Sequence, residues 1–414
     1  MPTRVRSYCK INLGLAIGPV RPDGFHGLAT LYQTLALHDA VTVEAKRLGS
    51  TPMSQKRDMG HPHSSSSIIS LTTNHPGVPT DDRNTAWKIV ALALERMGIA
   101  VEVKLHIEKN LPVQGGMGAG SANAAAALMG LERELGLQPG KAGALSEAVR
   151  LEIAATVGSD VPLFLVGGAV LGTGRGEIVS PMADLPAAPC VVAVPEVGVS
   201  TPRAFQEWDS LCASPGHMTS GAKAPASDKS AYGTAEAVPL TRPLELSQSV
   251  IAPASSRLTG AEPPDRLEAL SHVYASVLGA PASDTSGIVR GIRPESKQGD
   301  FEGNVPQEES AQNGLAGNPL LALVRTGIEN DFEQVVFPQH PSLRDIKRVL
   351  QGPSDRQAAI YAALSGSGSA LFGLYRTEED AVAAQQRVQD FGCRAIVTWT
   401  LPRPQYWATM FAAE

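Results

Sequence analysis

The stretch "LPVQGGMGAGSANAAAAL" (residues 111–128) places four glycines within six residues, directly before an alanine-rich run. Glycine loses more backbone entropy on folding than any other residue, so such a cluster has a structural or a functional reason. A glycine loop that leads into a helix directs bare backbone N–H groups towards one point, where the helix dipole adds positive potential. The stretch therefore predicts either a phosphate-binding loop or a structural turn before a buried helix.

The common nucleotide-binding motifs do not fit this chain. The P-loop requires a lysine after its last glycine, and no lysine follows the glycines here. The dinucleotide fingerprint G-x-G-x-x-G requires a glycine where this chain has Ser121. The tripeptide DFG at 390–392 has no H-R-D loop before it, so it is a chance match to protein kinases. A nucleotide-dependent oxidoreductase and a protein kinase are therefore both disfavoured.

The composition indicates a globular chain of two or three domains. Its 414 residues are 43% hydrophobic, which provides for a sizeable core. The net charge is −6 and no long basic run is present, so we expect no nucleic-acid or membrane partner. No apolar run reaches the ~18 residues of a membrane span, and Lys10 and Asn12 interrupt the early apolar segment, which argues against a signal peptide.

The four cysteines lie far apart and form no C-x-x-C pair, so neither a zinc ribbon nor a disulfide framework is expected. We therefore predict reduced thiols in a cytoplasmic protein and assign no residue as a metal ligand.

The hydrophobic pattern predicts a mixture of strands and helices. Residues 41–45 and 101–107 alternate apolar and polar positions, as half-buried strands do. Residues 81–98 follow a helical period, with Asn84 or Thr85 as the N-cap and Gly98 at the end. Further strands are predicted at 190–194, 369–375 and 395–399, with a helix at about 377–390. Because no regular βαβ alternation is present, the predicted class is α+β.

Two segments differ from the rest in composition. Residues 50–67 are polar and low in complexity, which predicts a loop. Residues 209–317 are rich in Ala, Ser, Pro and Gly and have no sustained period, which predicts a mostly disordered insertion with a short helix near 266–278. The ordered chain is expected to resume near "NPLLALV", from residue 318.

The pattern P-x-x-G-G-x-G-x-G-S-x-N resembles the phosphate loop of the GHMP kinases, which include galactokinase, homoserine kinase and mevalonate kinase. Three other segments extend the resemblance: residues 10–39 (with "RPDGFHGLATLYQTL"), 158–177 ("GSDVPLFLVGGAVLGTGRGE") and 363–375 ("ALSGSGSALFGLY"). The first is similar to the GHMP kinases that act on 4-(cytidine 5'-diphospho)-2-C-methyl-D-erythritol. The resemblance covers about residues 1–208 and 318–414.

The resemblance implies a two-domain GHMP kinase fold. An N-terminal domain like ribosomal protein S5 is expected over 1–185, and a ferredoxin-like C-terminal domain, which contains the insertion, over 186–414. The implied reaction is ATP-dependent phosphorylation of the 2-hydroxyl of the cytidine diphosphate compound, in the non-mevalonate route to isoprenoid precursors. Mg²⁺ is expected with ATP, and the chain is expected to be a monomer or a homodimer.

Two residues match the catalytic pair of that family. A tertiary hydroxyl is a poor nucleophile, and a nearby carboxylate can take its proton. Asp160 in "GSDVP" matches the catalytic aspartate. Lys10 before "INL" matches the catalytic lysine, whose ammonium would keep Asp160 ionised and stabilise charge on the acceptor oxygen. The apolar pattern around Lys10 also favours a charged partner, because an unpaired buried charge is costly.

The resemblance also implies two sets of binding residues. Phe25 and Phe205 are expected to sandwich the cytosine and His26 to read its edge, while Asn12 and Thr201 are weaker candidates for substrate contact. Phe25 stands where Tyr is usual, so a hydroxyl contact is lost. The predicted ATP-binding residues are Pro112, Val113, Gln114, Gly115, Gly116, Met117, Gly118, Ala119, Gly120, Ser121 and Ala122.

Three positions of the loop depart from the family. Gln114, Ala119 and Ala122 replace residues that are usually Gly, Gly and Ser. Ala119 requires a backbone φ below zero. The change at Ala122 removes a hydroxyl that could contact phosphate or Mg²⁺ and leaves Ser121.

Two alternative functions remain open. One is another GHMP kinase, of the homoserine or sugar kinase type. The other is a catalytically inactive ligand-binding relative, against which the presence of both Lys10 and Asp160 argues.

Overall fold

The computed structural model of the chain describes residues 1–48, 67–113, 115–213, 328–353 and 357–411, together with Ser271, Tyr274, Leu320 and Val324. The predicted loop at 50–67 lies outside the described residues except for Ser67, and Gln114 lies outside them as well.

The first half of the chain forms a six-stranded sheet. Its strands are β1 (Thr3–Val20), β2 (His26–Arg47), β3 (Ile68–Thr73), β4 (Val101–Glu108), β5 (Ala169–Thr173) and β6 (Ile178–Pro181). The order is β3-β4-β2-β5-β6, with β1 antiparallel to β2. The predicted strands at 41–45 and 101–107 are confirmed as parts of β2 and β4, where buried apolar side chains alternate with more exposed polar ones.

Three α-helices accompany this sheet: α1 (Thr85–Met97), α2 (Ala119–Glu134) and α3 (Glu147–Val157). The predicted ends of α1 are confirmed, since Asn84 accepts from the N–H of Ala86 and Gly98 is left-handed, with φ 63°. The alanine-rich α2 is almost wholly buried, because small side chains let it lie close to the strands. A Cβ at Gly130 would come 2.5 Å from Val43, so this approach needs glycine.

The second half forms a four-stranded sheet in the order β10-β7-β9-β8. Its strands are β7 (Pro189–Val194), β8 (Tyr361–Leu364), β9 (Leu371–Leu374) and β10 (Arg394–Trp399). Its helices are α4 (Thr201–Ala213), α5 (Glu333–Gln339), α6 (Pro341–Gln351) and α7 (Glu378–Asp390). The strands predicted at 190–194, 369–375 and 395–399 and the helix at 377–390 are confirmed within one or two residues at most ends.

The last helix, α8 (Arg403–Thr409), returns to the first sheet and packs in its core. The buried guanidinium of Arg403 donates to the carbonyl oxygens of Gly167, Ala169 and Met182. Residues of the predicted C-terminal domain therefore complete the hydrophobic core of the predicted N-terminal domain. The first sheet ends at Pro181 and the second begins at Pro189, and the division at 185/186 stays a prediction.

Two parts of the predicted insertion 209–317 are described, and both are helical. Helix α4 continues through residues 209–213, because Trp208 on its inner face is buried in the second core. Ser271 and Tyr274 are helical, in agreement with the short helix predicted near 266–278. Tyr274 is only 1% exposed, and it lies where a Cβ on Gly14 would collide with its hydroxyl. The burial of Tyr274 was not predicted from the composition of the segment. Most of the insertion lies outside the described residues.

We expect Tyr274→Ala to lower the free energy of unfolding by about 3–5 kcal/mol, as truncation of a large buried aromatic side chain does. For the same reason, replacing residues 215–312 with a short linker is expected to destabilise the protein. Chemical denaturation of the two variants and of Phe391→Ala, which truncates a half-exposed ring, measures this. Equal stability of Tyr274→Ala and Phe391→Ala would contradict the packing of Tyr274.

Candidate active site

The glycine loop adopts a backbone that only glycine tolerates well. Gly115, Gly116 and Gly118 have φ of 131°, 78° and 67°. Gly118 is the N-cap of α2, and the N–H of Ala122 makes the first helical bond, to the Gly118 carbonyl at 2.8 Å. The preceding N–H groups of the first turn have no intrahelical acceptor. They can bind an anion, as the glycine density predicted.

A second glycine-rich segment braces this loop from the other sheet. Ser365 donates its hydroxyl to the carbonyl of Gly116 at 3.0 Å, and the N–H of Ala370 donates to the carbonyl of Gly115 at 3.1 Å. A Cβ on Gly116 would come within 2.0 Å of the Ser365 carbonyl oxygen. The segment 363–375 therefore acts on the loop by direct contact.

A cavity of about 380 Å³ opens in front of the loop. Its walls are residues 77–79, 83–85, 112–113 and 115–121, with Lys109 and Asn123. The hydroxyl of Thr85 donates to the carbonyl of Gly120 at 2.7 Å, which joins the starts of α1 and α2. The part of the cavity wall that precedes α1 was not predicted from the sequence, because the N-cap residue Asn84 was the one recognisable feature there.

The places of Ala119 and Ala122 in the structure explain why these two residues can differ from the family pattern. Ala119 is the first residue of α2, where a side chain is tolerated. Ala122 is buried in the first core, between Ser121 and Asn123, which both line the cavity. Of the predicted ATP-binding residues, Ala122 is therefore placed away from the cavity wall.

Lys10 and Asp160 meet at one end of the loop. Lys10 Nζ lies 3.3 Å from Asp160 Oδ2 and donates to Asn12 Oδ1 at 2.7 Å and to the Gly116 carbonyl at 2.8 Å. The Lys10 side chain is 3% exposed, whereas that of Asp160 is 30% exposed. The ammonium is thus held by three acceptors, and the carboxylate keeps one side open to a ligand.

Asn12 holds this arrangement from within the sheet. Its side-chain oxygen accepts from Lys10, and its amide nitrogen donates to Thr30 Oγ1 at 2.8 Å. Thr30 in turn donates to the carbonyl of Gly14 at 2.8 Å. The structure therefore places the predicted substrate residue Asn12 as a support for Lys10.

The structure adds Tyr32 to the site. Its hydroxyl donates to Asp160 Oδ1 at 3.0 Å. Burial, and next the nearby charge of Asp160, raise the pKa of Tyr32 well above its usual range, so the phenol stays protonated. No role for Tyr32 was predicted, because nothing in the sequence shows which side of β2 faces Asp160.

The three rings predicted to recognise cytosine do not form a sandwich here. Phe205 stacks face to face on His26, with ring centroids 4.8 Å apart and planes at 9°. His26 Nδ1 lies 2.9 Å from the Gly18 carbonyl oxygen and Nε2 lies 3.3 Å from Asp209 Oδ1. Phe25 is half-exposed and lies under the guanidinium of Arg175, 4.7 Å from the ring centroid.

Thr201, the last predicted substrate residue, begins α4. Its hydroxyl lies 2.6 Å from that of Ser367, in the glycine-rich segment that braces the loop. This contact ties the helix that carries Phe205 to the neighbourhood of Lys10.

Other classes of site are not seen in the described part of the chain. All four cysteines are free, and burial raises the pKa of Cys9 to about 12, which makes it a poor nucleophile. Among the described residues, no three His, Cys, Asp or Glu side chains are grouped to hold a metal. None of the described helices is long and apolar enough to cross a bilayer.

Two family models match the chain. The GHMP kinases N terminal domain matches residues 84–168, and the GHMP kinases C terminal domain matches residues 317–392. The first match contains the glycine loop and Asp160, and the second contains the glycine-rich segment that braces the loop.

Curated relatives share one name, 4-diphosphocytidyl-2-C-methyl-D-erythritol kinase. The relative from Salinispora arenicola is 38% identical over 214 residues, which are 51% of this chain and 60% of that protein. The relative from Caldicellulosiruptor saccharolyticus is 35% identical over 205 residues, which are 50% of this chain and 62% of that protein. The matched part of the chain thus spans about three fifths of the length of these relatives.

Solved structures share the fold over almost the whole chain. A crystal structure of 4-(cytidine 5'-diphospho)-2C-methyl-D-erythritol kinase has a TM-score of 0.53 at 22% identity and covers 96% of this chain and 99% of that one. Homoserine kinase from Cytophaga hutchinsonii has a TM-score of 0.55 at 16% identity, with 98% and 96% covered. At these identities the likeness concerns the fold.

Proposed function

We propose that this chain is a GHMP kinase and that it transfers the γ-phosphoryl group of ATP to the 2-hydroxyl of 4-(cytidine 5'-diphospho)-2-C-methyl-D-erythritol. The observation that carries the proposal is the Lys10–Asp160 pair at 3.3 Å, at one end of a glycine loop. A carboxylate beside an ammonium can accept a hydroxyl proton, and the loop offers backbone donors for phosphate.

The chemistry follows from these groups. Asp160 takes the proton of the acceptor hydroxyl, whose oxygen then bonds to the γ-phosphorus. The bond from that phosphorus to the oxygen it shares with the β-phosphorus breaks, and ADP leaves with the electron pair. Lys10 stabilises the negative charge that moves through the transition state, and the loop N–H groups hold the phosphates. Asp160 afterwards returns its proton to water.

The 380 Å³ cavity is the proposed ATP site, since the first turn of α2 and Lys109 both line it. Mg²⁺ commonly binds through substrate phosphates and only one or two protein groups. The hydroxyl of Ser121, on the cavity wall, fits that limited donor set. Mg²⁺ would neutralise phosphate charge there.

Two observations favour the cytidine substrate over other alcohols. The curated relatives carry the name of that kinase, and His26 lies on β2, the strand that pairs with the Lys10 strand, with Phe205 stacked on its ring. Phe205 covers the ring of His26 in this structure. A cytosine sandwiched between Phe25 and Phe205 therefore requires α4 to move, or the Phe205 side chain to rotate. The cytoplasmic location and the oligomeric state stay predictions.

We expect Phe205→Ala to raise KM for the cytidine substrate about tenfold or more and to leave KM for ATP nearly unchanged. Stacking of a base on an aromatic ring contributes on the order of 1–3 kcal/mol, and ~1.4 kcal/mol corresponds to a factor of ten. Steady-state kinetics with each substrate varied in turn measures both constants, with Phe391→Ala as the control for loss of a ring elsewhere. An equal rise in both KM values would contradict the assignment of Phe205 to the base.

The proposed function is tested by ADP release on a panel of alcohols. The panel contains the cytidine diphosphate compound, its uridine analogue, free methylerythritol, homoserine and galactose. We expect turnover of the cytidine compound alone. A site whose polar groups pair with the edge of cytosine would leave those buried groups unpaired when another base is bound. Turnover of homoserine or galactose instead would support another GHMP kinase, and no turnover of any alcohol would support the inactive relative.

A further inference from the structure

Tyr32 is held in one orientation by its surroundings. It lies on β2 opposite Val170 of β5 and is buried. A Cβ on Gly172 would come 2.5 Å from Tyr32 Cε2, and one on Gly176 would come 2.5 Å from the Tyr32 hydroxyl. The ring therefore fills the space that these two glycines leave, and the direction of its hydroxyl is set by the β5–β6 hairpin.

Asp160 needs such support because its own segment provides little. It lies between α3 and a short 3₁₀-helix (Pro162–Leu165), and its side chain is partly exposed. Its two oxygens have different partners: Oδ2 lies beside Lys10 Nζ, and Oδ1 accepts from Tyr32. Contacts to both oxygens fix the rotation of the carboxylate, whereas Lys10 alone would leave it free to turn.

We propose that Tyr32 is a positioning residue for the Asp160 carboxylate: its buried hydroxyl donates to Oδ1, fixes the rotation of the group and stabilises its charged form. This inference rests on the proposed function for its catalytic meaning. A donor to a carboxylate binds the charged form more strongly than the neutral form, so the contact keeps Asp160 ready to accept a proton.

The charged groups around the contact agree with this assignment. Lys10 on β1 places a positive charge 3.3 Å from Asp160 Oδ2. Glu177 on the β5–β6 hairpin faces Tyr32 and has Arg175 at 3.6 Å, which offsets its negative charge. Burial and the two carboxylates keep the phenol protonated, so it acts only as a donor over the working pH range.

The test compares Tyr32→Phe with Tyr375→Phe. Both remove a buried hydroxyl, and Tyr375 donates at 2.7 Å to the carbonyl of Leu350 in the second core, away from the site. We expect Tyr32→Phe to lower kcat about tenfold and to move the acid limb of the pH–rate profile to higher pH, with KM for ATP unchanged. Tyr375→Phe is expected to lower stability and to leave the profile in place. An unmoved acid limb in Tyr32→Phe would overturn the proposal.

A second measurement does not depend on turnover. Carbon-13 NMR of chains labelled at the aspartate carboxyl carbons, with Asp160→Asn to assign the signal, follows protonation of Asp160 directly. The titration midpoint is expected to rise in Tyr32→Phe and to fall when the seven tyrosines are replaced by the more acidic 3-fluorotyrosine. Equal midpoints in all three proteins would refute the role of Tyr32. Failure of the proposed function would show separately, as absence of turnover on the alcohol panel.

Discussion

Replacement of Asp160 by Asn is expected to lower kcat by about 10²–10⁴, the range that a positioned general base contributes. Asn cannot accept the hydroxyl proton, and although it keeps the shape of the carboxylate it retains only one of the two acceptor oxygens that contact Tyr32 and Lys10. Steady-state ADP release at saturating substrates measures the loss. Lys10→Ala is expected to cost a comparable factor, and the two losses are expected to be less than additive because the residues act as a unit.

Asp184→Asn is the matched control for this change. Asp184 is a partly exposed carboxylate 3.5 Å from Arg403, so its replacement removes the same charge from a similar ion pair outside the site. Its kcat is expected to stay within a few fold of the unaltered protein. Near-normal turnover of Asp160→Asn would mean that another group takes the proton, and the assignment of Asp160 would be wrong.

Gly118→Ala is expected to raise KM for ATP and to lower kcat together, with larger losses for Gly118→Val. Gly118 has φ 67°, and a Cβ there would lie 3.0 Å from Phe164 Cζ and 3.2 Å from Lys10 Cε. The new methyl group would therefore displace Lys10 and distort the first turn of α2, where phosphate is expected to bind. Kinetics with ATP varied, on protein whose circular dichroism is unchanged, measures the effect.

Gly136→Ala separates backbone strain from crowding. Gly136 follows the other end of α2 with the same φ of 67°, and a Cβ there would meet nothing within 4 Å. Both variants carry the strain of a left-handed alanine, about 1–2 kcal/mol, but only Gly118→Ala crowds the site. Unchanged ATP kinetics in a folded Gly118→Ala variant would exclude the loop as the phosphate site.

The parts that were predicted from sequence rest on local physics or on the resemblance to a known family. The ends of α1 follow from the capping of Asn84 and the left-handed Gly98, which depend on neighbouring residues alone. The pairing of Lys10 with Asp160 was predictable because a lysine in an apolar setting needs a counter-charge, and the resemblance supplied one candidate. Burial of Lys10 and its 3.3 Å contact agree with that reasoning.

The parts that were missed depend on contacts distant in sequence. Phe205 stacks on His26 and packs edge-on against Phe332, so three segments far apart in the chain determine its position. The donation from Tyr32 to Asp160 depends on which face of β2 meets the α3 end, which no local pattern encodes. The burial of Tyr274 was missed because the composition of a whole segment does not show which of its side chains is buried.

The return of the last residues to the first sheet has a consequence for biosynthesis. The N–H of Arg6 on β1 donates to the carbonyl of Met410, and Val5 is bridged to Phe411, so the tail covers the first part of the outer edge of β1. On the ribosome, at ~5–20 residues per second, residues 186–400 must be made before that cover arrives. For on the order of ten seconds or more, the nascent chain carries an open strand edge that can pair with other chains. A chaperone that shields β1 on the ribosome would therefore raise the yield of native protein.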